Sequence, residues 1–205
     1  MGWWEELVVP WCIELSCGAK AISAERAKVT PGLAGVVLEI GFGSGLNLPH
    51  YPAGVTRVLA VDPSERARRI GRKRIEAAPF PVESVGLDAE SIRLDSRCAD
   101  AALSTFTLCT IPEAERALAE VKRVLKPGGR LHFLEHGRAP DARVARWQDR
   151  INGIQRAVAG GCNLNRAIPE LVRSAGFEIE SVESYYVAGA PYTHAYFYRG
   201  SATAP

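Results

Sequence analysis

The chain has 205 residues, of which 47% are hydrophobic and 23% are charged, a balance that suits one globular domain with a substantial core. Lysine and arginine number 25 against 23 for aspartate and glutamate, which leaves a formal net charge of +2. This near-neutral charge excludes the strong positive field expected of a protein that binds nucleic acid or an anionic membrane.

The cysteines argue for a reducing environment. There are five of them, an odd count, and they lack the spacing of a small disulfide-linked domain. We therefore expect reduced thiols and a cytoplasmic location. Cys12 and Cys17 have no second pair of ligands near them in the sequence, so no metal site is predicted. No stretch approaches the roughly 18 apolar residues of a membrane-spanning helix, so no transmembrane segment is expected.

The first 30 residues predict an amphipathic helical segment ahead of the main domain, which we expect over 31–205. Acidic residues and Pro10 interrupt its apolar start, and it lacks a basic leader and a cleavage site, so it is not a signal peptide. Three roles are open: packing against the domain, a lid over the active site, or weak peripheral contact with a membrane surface. Basic residues are scarce there, which disfavours membrane contact.

Apolar, β-branched runs alternate with helical patterns along the rest of the chain, which is typical of βαβ units and a covered parallel sheet. Strands are predicted over 36–40, 57–61, 82–86, 100–105, 130–134, 177–182 and 194–198, and helices over 64–78, 112–125, 142–159 and 168–175. The stretch KPGG at 126–129 ends the helix before it, because proline cannot continue a helix and glycine accepts a left-handed turn.

The first strand contains Glu39 near its end and then runs into three alternating glycines: Gly41, Gly43 and Gly45. Glycine lets the backbone pass close to a ligand where any Cβ would collide. The second strand ends at Asp62, and an acid in that position can accept hydrogen bonds from the two hydroxyls of a ribose. Together these features predict a nucleoside-bearing cofactor at the carboxyl ends of a parallel sheet.

Two other nucleotide-binding loops do not fit this pattern. A dinucleotide fold needs glycine or alanine three residues after its second glycine, and Leu46 stands at that position. A P-loop needs Gly-Lys-Ser/Thr after the turn, and the chain lacks it here.

The order EIGFGSG at 39–45 instead resembles the first motif of the class I S-adenosylmethionine-dependent methyltransferases, and VLKPGGRL at 124–131 is also common in them. Three further stretches narrow the resemblance: TLCTIP at 107–112, FLEH at 133–136 and GCNLNR at 161–166. They look like a bacterial relative of the methyltransferase-like 7 proteins, whose animal members are thiol S-methyltransferases. That family lies near the ubiquinone/menaquinone and phospholipid methyltransferases.

The resemblance covers most of the chain, from about residue 11 to residue 198. It implies a Rossmann-like class I methyltransferase fold: a seven-stranded, mostly parallel sheet with helices on both faces and an antiparallel last strand. It departs from the family at the start, since the animal members carry an N-terminal membrane anchor and only a short helix is predicted here.

The implied cofactor is S-adenosylmethionine. By the resemblance, the residues that bind it are Glu39, Gly41, Gly43, Gly45, Asn47, Asp62, Pro63, Ser64, Asp88, Ala89, Thr105 and Phe106. Three of these have structural alternatives. Asp62 could cap the following helix rather than bind ribose, Glu39 could be a structural acid that caps loop amides, and Asp88 could be an ordinary turn residue rather than a reader of the adenine edge.

On the acceptor side, His136 is the candidate catalytic residue. It follows the fifth strand at the crevice, where an imidazole could act as base or orienter for a thiol; the alternative is a histidine hydrogen-bonded within the fold. The candidate acceptor pocket comprises Tyr51, Trp147, Cys162, Asn163 and Tyr192. Cys162 is read as a pocket wall rather than a nucleophile, because direct methyl transfer needs no covalent enzyme intermediate.

The expected function is methyl transfer to a small, fairly apolar acceptor, with a thiol sulfur first. A phospholipid or quinone acceptor is the alternative within enzymes, and a non-catalytic S-adenosylmethionine-binding regulator is the alternative outside them. Nucleic acid is disfavoured, because STFT at 104–107 replaces the Asn/Asp-Pro-Pro-Tyr/Phe motif of base amino-methylation. The expected partner is therefore a small molecule, and the sequence does not predict an oligomeric state.

Overall fold

One sheet forms the centre of the protein in a computed structural model that describes residues 8–205. Its strands are β1 (Gly35–Ile40), β2 (Val55–Val61), β3 (Val82–Gly86), β4 (Ala99–Thr105), β5 (Leu125–His136), β6 (Glu178–Tyr186) and β7 (Tyr196–Thr203). They lie in the order β3-β2-β1-β4-β5-β7-β6. The first five strands pair in parallel, and β7 is antiparallel to both of its neighbours. The predicted seven-stranded α/β fold with an antiparallel last strand is confirmed.

Helices cover both faces of this sheet. They are α1 (Val9–Cys17), α2 (Lys20–Val29), α3 (Glu65–Ile70), α4 (Arg72–Glu76), α5 (Ala114–Val124), α6 (Ala142–Val158) and α7 (Ile168–Ser174), with a 3-10 turn at Leu48–His50. Successive side chains of a strand point to opposite faces. Leu38 of β1 belongs to a buried cluster with Leu118 of α5 and Val172 of α7. Val37 belongs to the opposite cluster, with Val29 of α2. Burial on both sides explains why β1 is apolar apart from Glu39.

The sheet opens a crevice between β1 and β4. Strand order reverses there, since β2 and β3 lie on one side of β1 while β4 and β5 lie on the other. Ligands of open parallel sheets bind at the carboxyl ends of the strands beside such a reversal. The segments that follow β1, β2, β4 and β5 therefore meet at one edge.

Several predicted boundaries were wrong, among them the ends of the last two strands, and two of the differences have a clear physical setting. The helix predicted over 64–78 is two short helices that meet at Gly71, where a Cβ would lie 2.1 Å from the backbone oxygen of Ser44. The helical segment thus touches the glycine loop, and a side chain does not fit between them. The fifth strand is also longer than the predicted 130–134, because the backbone becomes extended directly after α5 and continues to His136.

The two N-terminal helices pack on the same region. Glu14 of α1 forms an ion pair with Arg74 of α4 and accepts a hydrogen bond from the hydroxyl of Ser44. On α2, Arg26 and Val29 are buried. The part of the predicted N-terminal helix that falls on residues 1–7 lies outside the described residues, and the lid role stays a prediction. Within 8–205, no helix has the length and apolar character needed to cross a membrane.

The contact at Gly71 generates a stability prediction. Gly71→Ala should lower the free energy of unfolding by about 1–3 kcal/mol, the usual range for overpacking a tight contact, because the added methyl group meets Ser44. Gly153→Ala is the matched control, since a Cβ there has no atom within 4 Å, and alanine should stabilise α6 by about 0.5–1 kcal/mol. Chemical denaturation measures both, and equal effects of the two substitutions would contradict the steric account.

Candidate active site

The glycine loop after β1 packs tightly at its base and is open further along. Gly41 has a φ of 68°, a left-handed conformation that favours glycine. A Cβ there would lie 1.9 Å from Thr107 Oγ1, so this loop touches the loop that follows β4. At Gly43 the nearest atom to such a Cβ is 3.9 Å away. A ligand can therefore approach the backbone at Gly43, which agrees with the reason for predicting glycines here.

Asp62 joins the glycine loop to the segment after β2. Its Oδ2 accepts a hydrogen bond from the Gly43 N–H at 2.8 Å, and its Oδ1 accepts one from the Ser64 N–H at 2.7 Å, across Pro63. Burial raises the pKa of Asp62, although these two donors oppose the rise. Each carboxylate oxygen keeps a second lone pair that could accept a hydrogen bond from a ribose hydroxyl. The helix-cap alternative is wrong, because Ser64 caps α3 by accepting from the Ala67 N–H.

Glu39 lies beneath the loop and binds side chains rather than loop amides. Its Oε1 accepts a hydrogen bond from Asn47 Nδ2 at 2.7 Å, and its Oε2 accepts one from the Tyr51 hydroxyl at 2.6 Å. Burial raises the pKa of Glu39 to about 7, against the effect of those two donors. The ring of Tyr51 packs edge-on against Phe80, with 5.6 Å between centroids. Tyr51 thus belongs to the layer behind the glycine loop, a different place from the predicted acceptor pocket.

Arg26 is a site residue that the sequence did not indicate. Its side chain reaches from α2 into the crevice and is 4% exposed. Nη1 donates to Asn47 Oδ1 at 2.8 Å and to Thr105 Oγ1 at 2.7 Å, and the guanidinium lies 5.2 Å from the centre of the Phe106 ring. Burial lowers the pKa of Arg26. Within residues 8–205 no carboxylate forms an ion pair with it. A cation buried in this way attracts an anionic ligand group.

The ends of β4 and β3 carry the remaining predicted cofactor residues. Thr105 is buried in the contact with Arg26, and Phe106 has a φ of 55°, which is rare for a bulky side chain. Asp88 is exposed and accepts a hydrogen bond from the Glu90 N–H at 2.8 Å, the geometry of a turn residue. Ala89 packs at the edge of the core. The roles of Asp88 and Ala89 toward adenine stay predictions.

His136 ends β5 beside two cysteines. Its Nε2 lies 2.8 Å from Cys162 Sγ, which lies 3.9 Å from Cys109 Sγ. Burial alone would lower the pKa of His136, but Cys162 and the Glu135 carboxylate outweigh it and the net direction is upward. Contact with Cys109, together with burial, raises the pKa of the Cys162 thiol well above its usual range. These three side chains, which we call the thiol–imidazole cluster, are of the types that ligate metal ions.

One buried polar group, Glu135, and one half-buried polar group, Asn163, hold the loops of this cluster. The Glu135 carboxylate accepts hydrogen bonds from the Ser104 hydroxyl at 2.8 Å and from the backbone N–H groups of Thr107 and Leu108 at 3.0 and 3.1 Å. Asn163 donates its backbone N–H and its Nδ2 to the carbonyl oxygen of Cys109, at 2.8 and 3.0 Å. Asn163 therefore positions the cluster through the backbone of Cys109.

The other two predicted pocket residues lie on the surface. Trp147 is 56% exposed, and its ring stacks with the guanidinium of Arg150 at 5.3 Å. Tyr192 is 70% exposed and packs edge-on against Tyr186. Neither side chain is enclosed, so the structure does not bring Trp147 or Tyr192 into a pocket with Cys162. Aromatic residues late in the chain carried no pattern that separates surface packing from a binding site.

Known proteins that are similar to this chain are methyltransferases. Residues 38–133 match a family described as a methyltransferase domain. The rat thiol S-methyltransferase TMT1B is 31% identical over 151 residues, which cover 72% of this chain and 62% of that protein. The human thiol S-methyltransferase TMT1A is 31% identical over 145 residues, covering 69% and 59%. The ubiquinone/menaquinone C-methyltransferase UbiE of Acidiphilium cryptum is 38% identical over 106 residues, covering 50% and 42%.

Solved structures show the same fold at lower identity. A Haloferax volcanii putative methyltransferase, in complex with its activator Trm112, has a TM-score of 0.73 at 16% identity and covers 98% of this chain and 96% of its own. Geranyl diphosphate methyltransferase, in complex with S-adenosylmethionine, has a TM-score of 0.70 at 13% identity and covers 89% and 85%.

The domain match, the fold and these relatives place the chain among the class I S-adenosylmethionine-dependent methyltransferases. S-adenosylmethionine is the cofactor of that class. The open side of Gly43 and Arg26, which has no carboxylate partner within residues 8–205, fit a ligand that carries an amino-acid carboxylate. The chain spans about three fifths of the length of the thiol S-methyltransferases it matches.

The buried guanidinium generates a binding prediction. Arg26→Met should weaken S-adenosylmethionine binding about ten- to a hundredfold, the worth of a hydrogen bond to a charged group. Stability without cofactor should also fall, by about 1–3 kcal/mol, because the variant removes the buried hydrogen bonds to Asn47 and Thr105. Lys20→Met, at the exposed start of α2, is the matched control and should leave binding unchanged. Titration calorimetry measures both, and equal affinities would remove Arg26 from the binding site.

Proposed function

We propose that this chain transfers a methyl group from S-adenosylmethionine to the sulfur of a small, fairly apolar thiol. The observation that carries the proposal is the thiol–imidazole cluster, which lies at the carboxyl end of β5, next to the end of β4 in the crevice. The relatives named as thiol S-methyltransferases support it, since they align over 69–80% of this chain.

The cofactor side of the crevice is assigned from the contacts of the chain's own residues. Asp62 would accept hydrogen bonds from the ribose hydroxyls, and the glycine loop would lie against the ribose and methionine portions. Thr105 and Phe106 would flank the methionine tail, and Arg26 would bind its carboxylate. Asn47 links these parts, because it donates to both Glu39 and Thr105 and accepts from Arg26.

The protein has little covalent chemistry to perform. When bound, S-adenosylmethionine supplies a methyl group on a sulfonium, and the product is S-adenosylhomocysteine. The chain must hold the acceptor sulfur in line with that methyl group and exclude water. It must also let the thiol lose its proton, because the thiolate is the nucleophile. We place His136 next to the acceptor sulfur, as the residue that orients or activates it.

A quinone- or lipid-like acceptor is the second candidate. Relatives named UbiE and demethylmenaquinone methyltransferase match at 34–38% identity, over 50–62% of this chain. Exposed apolar side chains on α1, with Trp11 at 48% and Leu15 at 76%, would suit weak peripheral contact with a membrane. A regulator that binds the cofactor without turnover is the non-enzymatic alternative, and production of S-adenosylhomocysteine with an acceptor separates it from an enzyme.

The ribose assignment predicts that Asp62→Ala weakens S-adenosylmethionine binding by more than tenfold, on the scale of a buried hydrogen bond to a charged group. Asp95→Ala is the control, because Asp95 is exposed in the turn before β4. Calorimetry on both variants decides the point, and wild-type affinity in Asp62→Ala would refute the assignment.

The acceptor assignment predicts that His136→Ala lowers turnover about a hundredfold, within the range lost with one catalytic group, while cofactor affinity persists. His132→Ala removes another imidazole of β5, one that contacts the carbonyl of Val29, and should keep turnover per folded molecule.

The assay is mass spectrometry on a panel of alkyl thiols, hydrogen sulfide, phenols, quinols and phosphatidylethanolamine. A methylated sulfur product is expected. A product from quinols or lipid alone would favour the second candidate, and full activity in His136→Ala would make that residue structural.

A further inference from the structure

Three separate segments supply the thiol–imidazole cluster. Cys109 comes from the loop after β4, His136 from the end of β5, and Cys162 from the loop after α6. Their Sγ, Nε2 and Sγ atoms all lie within 4.8 Å of one another. No metal site was predicted from the sequence, where only Cys12 and Cys17 were weighed as ligands. Cys109 and Cys162 are 53 positions apart, and no short ligand motif joins them.

The distances between the three ligand atoms approach those between the ligands of a single tetrahedral metal ion. Zn–S bonds of about 2.3 Å and Zn–N bonds of about 2.0 Å put two sulfurs about 3.8 Å apart and a sulfur and a nitrogen about 3.5 Å apart. The two sulfurs are 3.9 Å apart. The imidazole Nε2 lies at 2.8 Å from Cys162 Sγ, so it must move away by several tenths of an ångström.

Hydrogen bonds support the loop that carries Cys109. Asn163 fixes the Cys109 carbonyl, Glu135 fixes the amides just before Cys109, and Arg166 donates to the carbonyl of Ile111 at 2.6 Å. The Nδ1 atom of His136 has no partner within the described part of the chain, so the ring is held through Nε2. The loops of the two cysteines are thus supported, whereas the imidazole can shift to let Nε2 move away from Cys162. Three protein ligands with an open fourth position are the arrangement of catalytic rather than structural zinc sites.

We propose that Cys109, His136 and Cys162 bind a divalent metal ion, zinc by ligand type, whose fourth position takes the sulfur of the acceptor thiol. Two thiolates and one neutral imidazole are soft, zinc-selective ligands that balance the charge of the ion. The acceptor binds as thiolate: its S–H bond breaks, a sulfur–metal bond forms, and the proton leaves to solvent. His136 is then the orienting ligand, and the metal lowers the pKa of the thiol.

The position of the cluster connects it to the reaction. The Phe106 N–H donates to the carbonyl of Leu134 at 2.9 Å, which joins the end of β4 to the residues just before His136. A thiolate on the metal would therefore lie at the same edge of the sheet as the methionine side of the cofactor site. Only this assignment of the fourth ligand rests on the proposed function, and the three-residue site does not.

The test is a titration of the reduced, metal-free protein with cobalt(II) alone. We expect one cobalt per chain, with the visible bands of a tetrahedral site and a thiolate-to-cobalt charge-transfer band, and we expect zinc to displace both. Cys109→Ala and Cys162→Ser should lose the charge-transfer band or reduce it by at least half. Cys98→Ala is the control, since Cys98 is half-buried before β4 and outside the cluster, and it should match the wild type. No stoichiometric binding, or unchanged bands in Cys162→Ser, would overturn the site.

Circular dichroism checks whether each variant folds. In case the variants fold poorly, a second measurement uses the wild type alone: its cobalt form is titrated with a small alkyl thiol. A shift of the charge-transfer band is expected, and an unmoved band would overturn the fourth-ligand assignment.

The metal site and the proposed reaction can be refuted independently of each other. Cobalt bound by the cluster without any sulfur methylation would leave the site standing and remove the proposed function. Full thiol methylation in protein stripped with a chelator would leave the proposed function standing and remove the assignment of the acceptor sulfur as fourth ligand.

Discussion

The buried Arg26 is the interaction on which the geometry of the crevice depends. One guanidinium from the second helix joins the glycine loop, through Asn47, to the end of β4, through Thr105. Asn47 in turn donates to Glu39. The chain thereby closes a polar network around a cation that has no carboxylate partner within the described residues. Burying such a cation is costly unless a ligand completes the network. The N-terminal helices are therefore part of the site, in addition to covering the core.

The sequence predicted the features that are local in the chain. The β1 run, its alternating glycines and the acid after β2 lie within thirty positions, and each has a direct steric or hydrogen-bonding reason. The sheet follows from alternation of strands and helices, and all seven strands are found. Boundaries were less accurate where they depend on distant contacts. Gly71 divides its helix because Ser44 lies against it, and no pattern within 64–78 records that contact.

The acceptor side was predicted less well for the same reason. Cys109, Glu135 and Arg26 were not singled out, because each gains its meaning from partners brought together only by the fold. Cys162 was read as a pocket wall, and its contact with His136 becomes visible only once the loop after α6 docks on the loop after β4. Two aromatic residues gave the opposite error. Trp147 and Tyr192 were predicted to line the acceptor pocket, and they lie at the surface. A buried polar residue needs a partner, and only the fold identifies that partner.

Glu39 couples ligand binding in the crevice to the release of protons into the buffer. Because burial raises the pKa of Glu39 to about 7, its carboxyl is about half protonated in neutral solution. A ligand with a positive charge beside it favours the carboxylate. Formation of the complex then releases a fraction of a proton to the buffer. The heat recorded in phosphate therefore differs from that in Tris by this fraction multiplied by the difference between the ionisation enthalpies of the two buffers.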